Sequence, residues 1–189
     1  MQLVCPFPAG IQAYSPSHPA ILAQIPACCL LCESALKGKG VYFRQVWDPG
    51  IEWIEVRRFQ CRRAGCRVTI SLLPSFCIPF KRYSSKIIGS CLDWVLRRRQ
   101  RLEEWCEEHG YTDCSTARSW VRQFGNGVGL LSTEGCDRLG IRQPGGSGGQ
   151  AQRLWAALSA WAGSALVLHT VQPALCRRVP FLGVFRLRL

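Results

Sequence analysis

The sequence predicts an α+β protein: a small zinc-ribbon β-hairpin domain, then a helical bundle of helix-turn-helix type, then a C-terminal helix. Three observations carry that reading. Two tight cysteine pairs, Cys29/Cys32 and Cys61/Cys66, stand about thirty residues apart, the sequence form of a four-thiolate metal site. Between them lie two runs rich in β-branched and aromatic residues, separated by the turn signal Asp48-Pro49-Gly50. Beyond Ser84 the pattern changes to three successive stretches of helical periodicity.

Zinc suits the cysteine spacing because a short pair forms one turn that aims two sulfurs at a single tetrahedral centre. The first pair is Cys29-Leu30-Leu31-Cys32, with Cys28 an alternate for Cys29. The second, Cys61 and Cys66, has four intervening residues, and Cys77 is the alternate should one ligand differ. The cofactor expected is one structural Zn2+. Twelve cysteines could instead signal a secreted disulfide scaffold. Against that, no secretory signal pattern opens the chain, and several cysteines occupy core-like positions, so reduced thiols in the cytoplasm are expected.

Residues 1–27, with Pro6, Pro8, Pro16, Pro19 and Pro26, read as an extended lead-in in which His18 is exposed to solvent. The ribbon spans 28–80. Its first strand is Val41 to Trp47 and its return strand Ile51 to Gln60, with Trp53 and Phe59 on one face and Ile54 and Val56 on the other. The helical bundle spans 84–142. Ser84 or Ser85 caps a first helix that buries Ile87, Ile88, Cys91, Leu92 and Val95 and leads into Arg97-Arg98-Arg99. A second turns Leu102, Trp105 and Cys106 inward and four glutamates outward, stopping at Gly110. On a continuous helix Arg99 and Glu103 would pair. A third starts at Ser115 or Thr116, buries Ala117, Trp120, Val121 and Phe124, and ends at Gly125. Cys106, His109 and Cys114 form only a loose thiol–imidazole group. Residues 143–150 are a glycine-rich linker, and 151–189 hold an apolar helix and tail that pack on the bundle or pair two copies of the chain as a homodimer.

The formal net charge is +12, and it is concentrated. From Arg57 through Arg101 there are twelve lysines or arginines and one acid, Asp93. Interleaved with Phe59, Phe76, Phe80, Tyr83 and Trp94, this block suits a polyanion, and DNA is the expected partner. Arg57, Arg58, Arg62, Arg63, Arg67, Lys81 and Arg82 are the candidate phosphate contacts. In a helix-turn-helix the last helix enters the major groove by its N-terminal residues, here Ser115, Arg118, Ser119 and Arg122. Bound to DNA, the protein would be associated with the nucleoid.

Enzymatic classes are poorly supplied. Nucleases that hold two metal ions need clustered carboxylates, yet no acid follows Asp137. Neither a phosphate-binding G-x-x-x-x-G-K-[ST] loop nor a G-x-S-x-G elbow occurs. The longest apolar run, Leu154 to Leu168, is short of the ~20 residues that span a bilayer, so no membrane partner is expected.

The runs C-L-L-C, L-K-G-K-G-V-Y-F-R-Q-V, V-R-R-F-Q-C, T-I-S-L-L-P-S-F and K-R-Y-S resemble a bacterial, mobile-element-associated, transposase-like family of unknown function with an N-terminal zinc-binding segment and a helix-turn-helix. The likeness covers residues 26–125. It implies a zinc-binding module related to the end-recognition part of insertion-sequence transposases, with Cys29, Cys32, Cys61 and Cys66 at the metal positions. It also implies that Arg118 and Arg122 lie in the recognition helix. No catalytic domain follows. The alternatives are a zinc-stabilised protein-interaction or RNA-binding module, and a transposase-type enzyme that takes its carboxylates from a partner.

Overall fold

The computed structural model describes residues 1–138, Pro8 excepted, together with residues 149, 152, 155 and 156. The linker expected over 143–150 and the helix and tail expected over 151–189 otherwise lie outside the described residues. The chain divides into two compact units, Met1–Ser84 and Ser85–Leu189. Together they form a mixed α+β protein with one four-stranded sheet and several helices.

The first unit is built on a long antiparallel hairpin, β2 (Leu36–Trp47) and β3 (Ile51–Cys61). Asp48-Pro49-Gly50 closes it, with Gly50 at φ +110°, where a side chain would be strained. The register runs from Trp47 opposite Ile51 to Leu36 opposite Cys61, with one irregularity between Gly38 and Val41 where Gly40 has φ +78°. Even-numbered residues Val46, Ile54 and Val56 face the core. Trp53 is exposed, whereas Phe59, expected to share its face, packs against the core cluster near the end of the strand.

β4 (Thr69–Pro74) pairs antiparallel with β3 through Arg58–Gln60 only. Its other edge is taken by β1 (Gln2–Cys5), in parallel, giving the order β1-β4-β3-β2. The lead-in expected over residues 1–27 is therefore part of the domain. Cys5, Phe7 and Ile21 are buried, a 3₁₀ turn spans Ile11–Ala13, and α1 spans Pro19–Leu22. Proline density misled because the prolines punctuate short elements whose pairing partner is far away in sequence. His18 is not a free surface residue: its Nδ1 accepts the Ala20 N–H, and its ring meets Phe7 edge-on at 4.9 Å. Residues 14–16 cover the β3 edge that β4 leaves open, through Tyr14 Oη to the Glu55 carbonyl (2.8 Å) and Arg57 Nε to the Pro16 carbonyl (3.1 Å).

In the second unit α2 (Ser85–Leu92) buries Ile87, Ile88, Cys91 and Leu92 and continues as a π-helical turn over Asp93–Arg97. That turn buries Asp93, whose carboxylate meets Arg97 at 2.7 Å and Arg98 at 3.4 Å. Arg99, at φ +58°, breaks the helix before α3 (Leu102–Glu108), so the continuous helix that would pair Arg99 with Glu103 does not form. The glutamates of α3 face outward, and Trp105 and Cys106 are buried. Trp105 stacks on His109 (4.3 Å between centroids) and Tyr111 (5.2 Å), meets Trp120 edge-on, and donates its indole N–H to Ser90 Oγ. Gly110 ends this segment at φ +72°. α4 starts at Ser115 as expected, buries Ala117, Trp120 and Phe124, and runs through Gly125 to Arg138. Gly125 does not stop it, because a helical glycine costs only about 1 kcal/mol relative to alanine. Val121 is half-buried.

Candidate metal centre

Four cysteines meet at one end of the hairpin. The Sγ atoms of Cys29, Cys32, Cys61 and Cys66 all lie within 4.8 Å of one another. Cys29 to Cys66 is 3.8 Å and Cys32 to Cys61 is 3.5 Å, so each pair interleaves with the other. Sulfurs bound tetrahedrally at about 2.3 Å to one ion are about 3.8 Å apart; these two separations lie near that edge, and all six are within 4.8 Å.

Local backbone explains the convergence. In the first turn the Cys29 N–H donates to the Ser34 carbonyl and the Glu33 N–H to the Cys29 carbonyl, while Glu33 adopts φ +57°. In the second, the Cys66 N–H donates to the Arg63 carbonyl and Gly65 adopts φ +85°. The left-handed glycine lets a four-residue gap close as tightly as a two-residue one. The Arg63 N–H also points at Cys61 Sγ (3.4 Å). Arg62 N–H to the Ala35 carbonyl (2.9 Å) clips the two turns together.

Of the two alternates, Cys28 is half-buried beside the cluster and Cys77 is buried in the core of the sheet; neither joins the four. Among the described residues this is the one group of His, Cys, Asp or Glu placed to hold a metal ion, and it does not include Cys106, His109 or Cys114. The His109 ring is committed to Trp105.

The thiols are electrostatically unequal. Hydrogen bonds from the Ser34 backbone, then its hydroxyl, hold Cys32 down to about 6, whereas burial pushes Cys61 up to about 12. The two thiols are thus biased in opposite directions, Cys32 toward the thiolate and Cys61 toward the neutral form. Four sulfur donors, with no fifth candidate ligand among the described residues, make a closed, soft ligand set. Ser34 was not singled out from sequence, although it sits two residues after Cys32.

The expected phosphate contacts are dispersed in character. Arg62, Arg63 and Arg67 are exposed on and beside the second cysteine turn. Arg57 is half-buried and tied to Pro16; Arg58 is half-buried with its guanidinium 5.3 Å from the Tyr42 ring centre. Arg82 is exposed and Lys81 half-buried, on a turn that Arg44 holds by donating to the carbonyls of Ile78 (2.7 Å) and Lys81. Arg44 carried no signal in sequence beyond being one more cation.

At the start of α4, Ser115 is exposed; its hydroxyl donates to Asp113 Oδ2 and its N–H to Oδ1 (2.8 Å), and these bonds, the hydroxyl's first, hold the Asp113 carboxyl below its usual range. Arg118 is exposed and lies 3.3 Å from Glu103 of α3. Ser119 is half-buried and accepts from Gln123, and Arg122 is exposed. No helix among the described residues is long and apolar enough to cross a membrane.

A family model described as a domain of unknown function (DUF6431) matches residues 29–120. The match opens on the first cysteine of the cluster and closes on Trp120 in the core of the helical unit. No curated protein and no solved structure matches the chain.

Proposed function

We propose that this chain is a DNA-binding protein whose four-cysteine centre holds one structural Zn2+. The observation that carries the reading is the placement of exposed Arg62, Arg63 and Arg67 on the turn that supplies Cys61 and Cys66. Bound at the four thiolates, the ion would supply cross-linking energy that two short turns and a hairpin end lack. Two cysteine turns at one end of a β2–β3–β4 meander support reading the first unit as a zinc ribbon. Arg62, Arg63, Arg67 and Arg82 then contact phosphates and supply affinity with steep salt dependence. In the second unit, α3 and α4 serve as a helix-turn-helix, with Ser115, Arg118, Ser119 and Arg122 at the leading turns of the reading helix. The resemblance to the end-recognition part of insertion-sequence transposases supports this assignment.

The test is duplex binding by zinc-loaded protein across a salt series. The apparent affinity should fall linearly on a log–log plot, and Arg62→Ala with Arg63→Ala and Arg67→Ala should shallow the slope by about 3. Binding indifferent to salt, or a slope unmoved by the triple variant, would rule out this interface. A second reading, a zinc-stabilised protein-interaction module, is favoured by the apolar residues exposed on the hairpin.

A further inference from the structure

An antiparallel hairpin with one face in the core ordinarily puts polar residues on the other. Here the even-numbered residues go inward, yet the outward face reads Val41, Phe43, Gln45 and Trp47 on β2, opposite Arg57, Glu55, Trp53 and Ile51 on β3. Phe43 is 65% exposed, Trp53 64% and Ile51 54%. Val41 and Trp47 are also exposed, Trp47 with its ring stacked on Tyr83 at 5.7 Å. Phe43 and Trp53 are diagonal neighbours across the hairpin, so their rings fall in one patch. Two aromatics and a branched aliphatic more than half exposed on one sheet face form a contiguous apolar area, not scattered surface residues.

We infer that this hairpin face is a homodimer interface, occupied by the same face of a second copy of the chain. Two features select that occupant. The first is size: the five apolar side chains present about 500 Å², so two copies would bury about 1,000 Å² before their rim is counted, the lower end of a specific interface. The second is charge. The face carries one acid, Glu55, and one base, Arg57, two residues apart on the same strand and both half-buried, Arg57 also giving its Nε–H to the Pro16 carbonyl. A two-fold axis can set Glu55 of each copy against Arg57 of the other, so the patch is complementary to itself. Its charges cancel, which gives it no pull on phosphate, in contrast to the arginine-bearing cysteine end of the same hairpin. The inference concerns assembly and stands whether or not the protein binds DNA.

Sedimentation equilibrium of the full zinc-loaded chain from about 1 to 100 μM tests it. The expected result is a dimer that Phe43→Ser with Trp53→Ser converts to monomer, shifting the dissociation constant at least 100-fold. Both side chains are exposed, so metal content and far-UV circular dichroism should be unchanged. Glu55→Arg and Arg57→Glu should each weaken the dimer about 10-fold, and the double swap should restore it, which a merely structural role would not do. A chain monomeric throughout the range overturns the inference. So does a dimer indifferent to all four variants, which would place the contact elsewhere, for example in residues 151–189. Loss of single-stranded DNA or RNA binding by the Phe43/Trp53 variant of a monomeric protein would assign the face to base stacking instead.

Discussion

Cys32 and Cys61, 29 residues apart in the chain, bring their Sγ atoms to 3.5 Å at the foot of the β2–β3 hairpin. The hairpin is what makes that approach reproducible: Leu36, four residues after Cys32, is opposite Cys61 in the strand register. A ladder of backbone hydrogen bonds thus sets the position of one cysteine turn against the other.

Replacing any one of Cys29, Cys32, Cys61 or Cys66 by serine should remove the ion, because a three-sulfur remnant holds zinc far more weakly than a closed tetrahedron. Elemental analysis should fall from one zinc per chain to none, with loss of the folded first unit on circular dichroism. Cys28→Ser should keep the full metal content. Cys77→Ala should also keep it, while lowering stability by about 1 kcal/mol through the core it vacates. Retention of metal by Cys66→Ser with its loss in Cys28→Ser would reassign the ligand set.

Much of this centre is legible in the sequence. The two cysteine pairs, the β-rich runs and Asp48-Pro49-Gly50 are local signals, and each produced the expected element. Gly110 and Ser115 marked helix boundaries for the same reason. What was not legible depends on partners distant in the chain. Gln2 pairs with Ser71, and nothing in a proline-rich N-terminus announces a parallel partner that far downstream. The π-helical turn after Leu92 is set by packing that buries Asp93 beside Arg97 and Arg98, not by a local motif. Conversely, periodicity placed Trp53 away from Ile54 but could not say that its face would remain uncovered.

The pair Glu103–Arg118 offers a separate test of whether α4 reads DNA. Both side chains are about half exposed or more, at 3.3 Å, so solvent screens the bridge and leaves it little weight in stability. Glu103→Gln should therefore leave the melting temperature within a few degrees while freeing the guanidinium and removing a carboxylate beside the leading turn of α4. If α4 contacts DNA, binding should tighten several-fold, and Arg118→Ala should weaken it by about 1–3 kcal/mol at specific sites only. Equal effects on specific and mixed-sequence DNA would restrict Arg118 to phosphate contact.

Arg44 is expected to matter for stability more than for charge. Its guanidinium serves the carbonyls of Ile78 and Lys81 under a turn in which Phe80 adopts φ +62°, an unfavourable region for a bulky residue. Arg44→Ala would leave the carbonyl of buried Ile78 without this donor and should cost about 2 kcal/mol. Denaturant unfolding measures it. Zinc content should be unaffected, since the turn is remote in register from the cysteine end.

Buried thiols outside the four-cysteine cluster make the stability of the fold sensitive to alkaline pH. Burial pushes Cys5, Cys77, Cys91 and Cys106 each up to about 12 from an ordinary value of 9. A raised value means the folded state disfavours the thiolate. The stabilisation from keeping these groups neutral is therefore complete below pH 9 and declines as pH rises from 9 toward 12, where the unfolded chain releases protons that the folded chain retains. Melting temperatures of the zinc-loaded protein, measured between pH 8 and 11, should be flat at first and then fall progressively. Cys91→Ala, in the helical unit, should make that fall shallower by the contribution of one thiol even though it lowers stability at pH 8. A melting temperature that rose across this interval, or a slope unchanged in Cys91→Ala, would mean that the thiol ionises in the folded protein as it does in water.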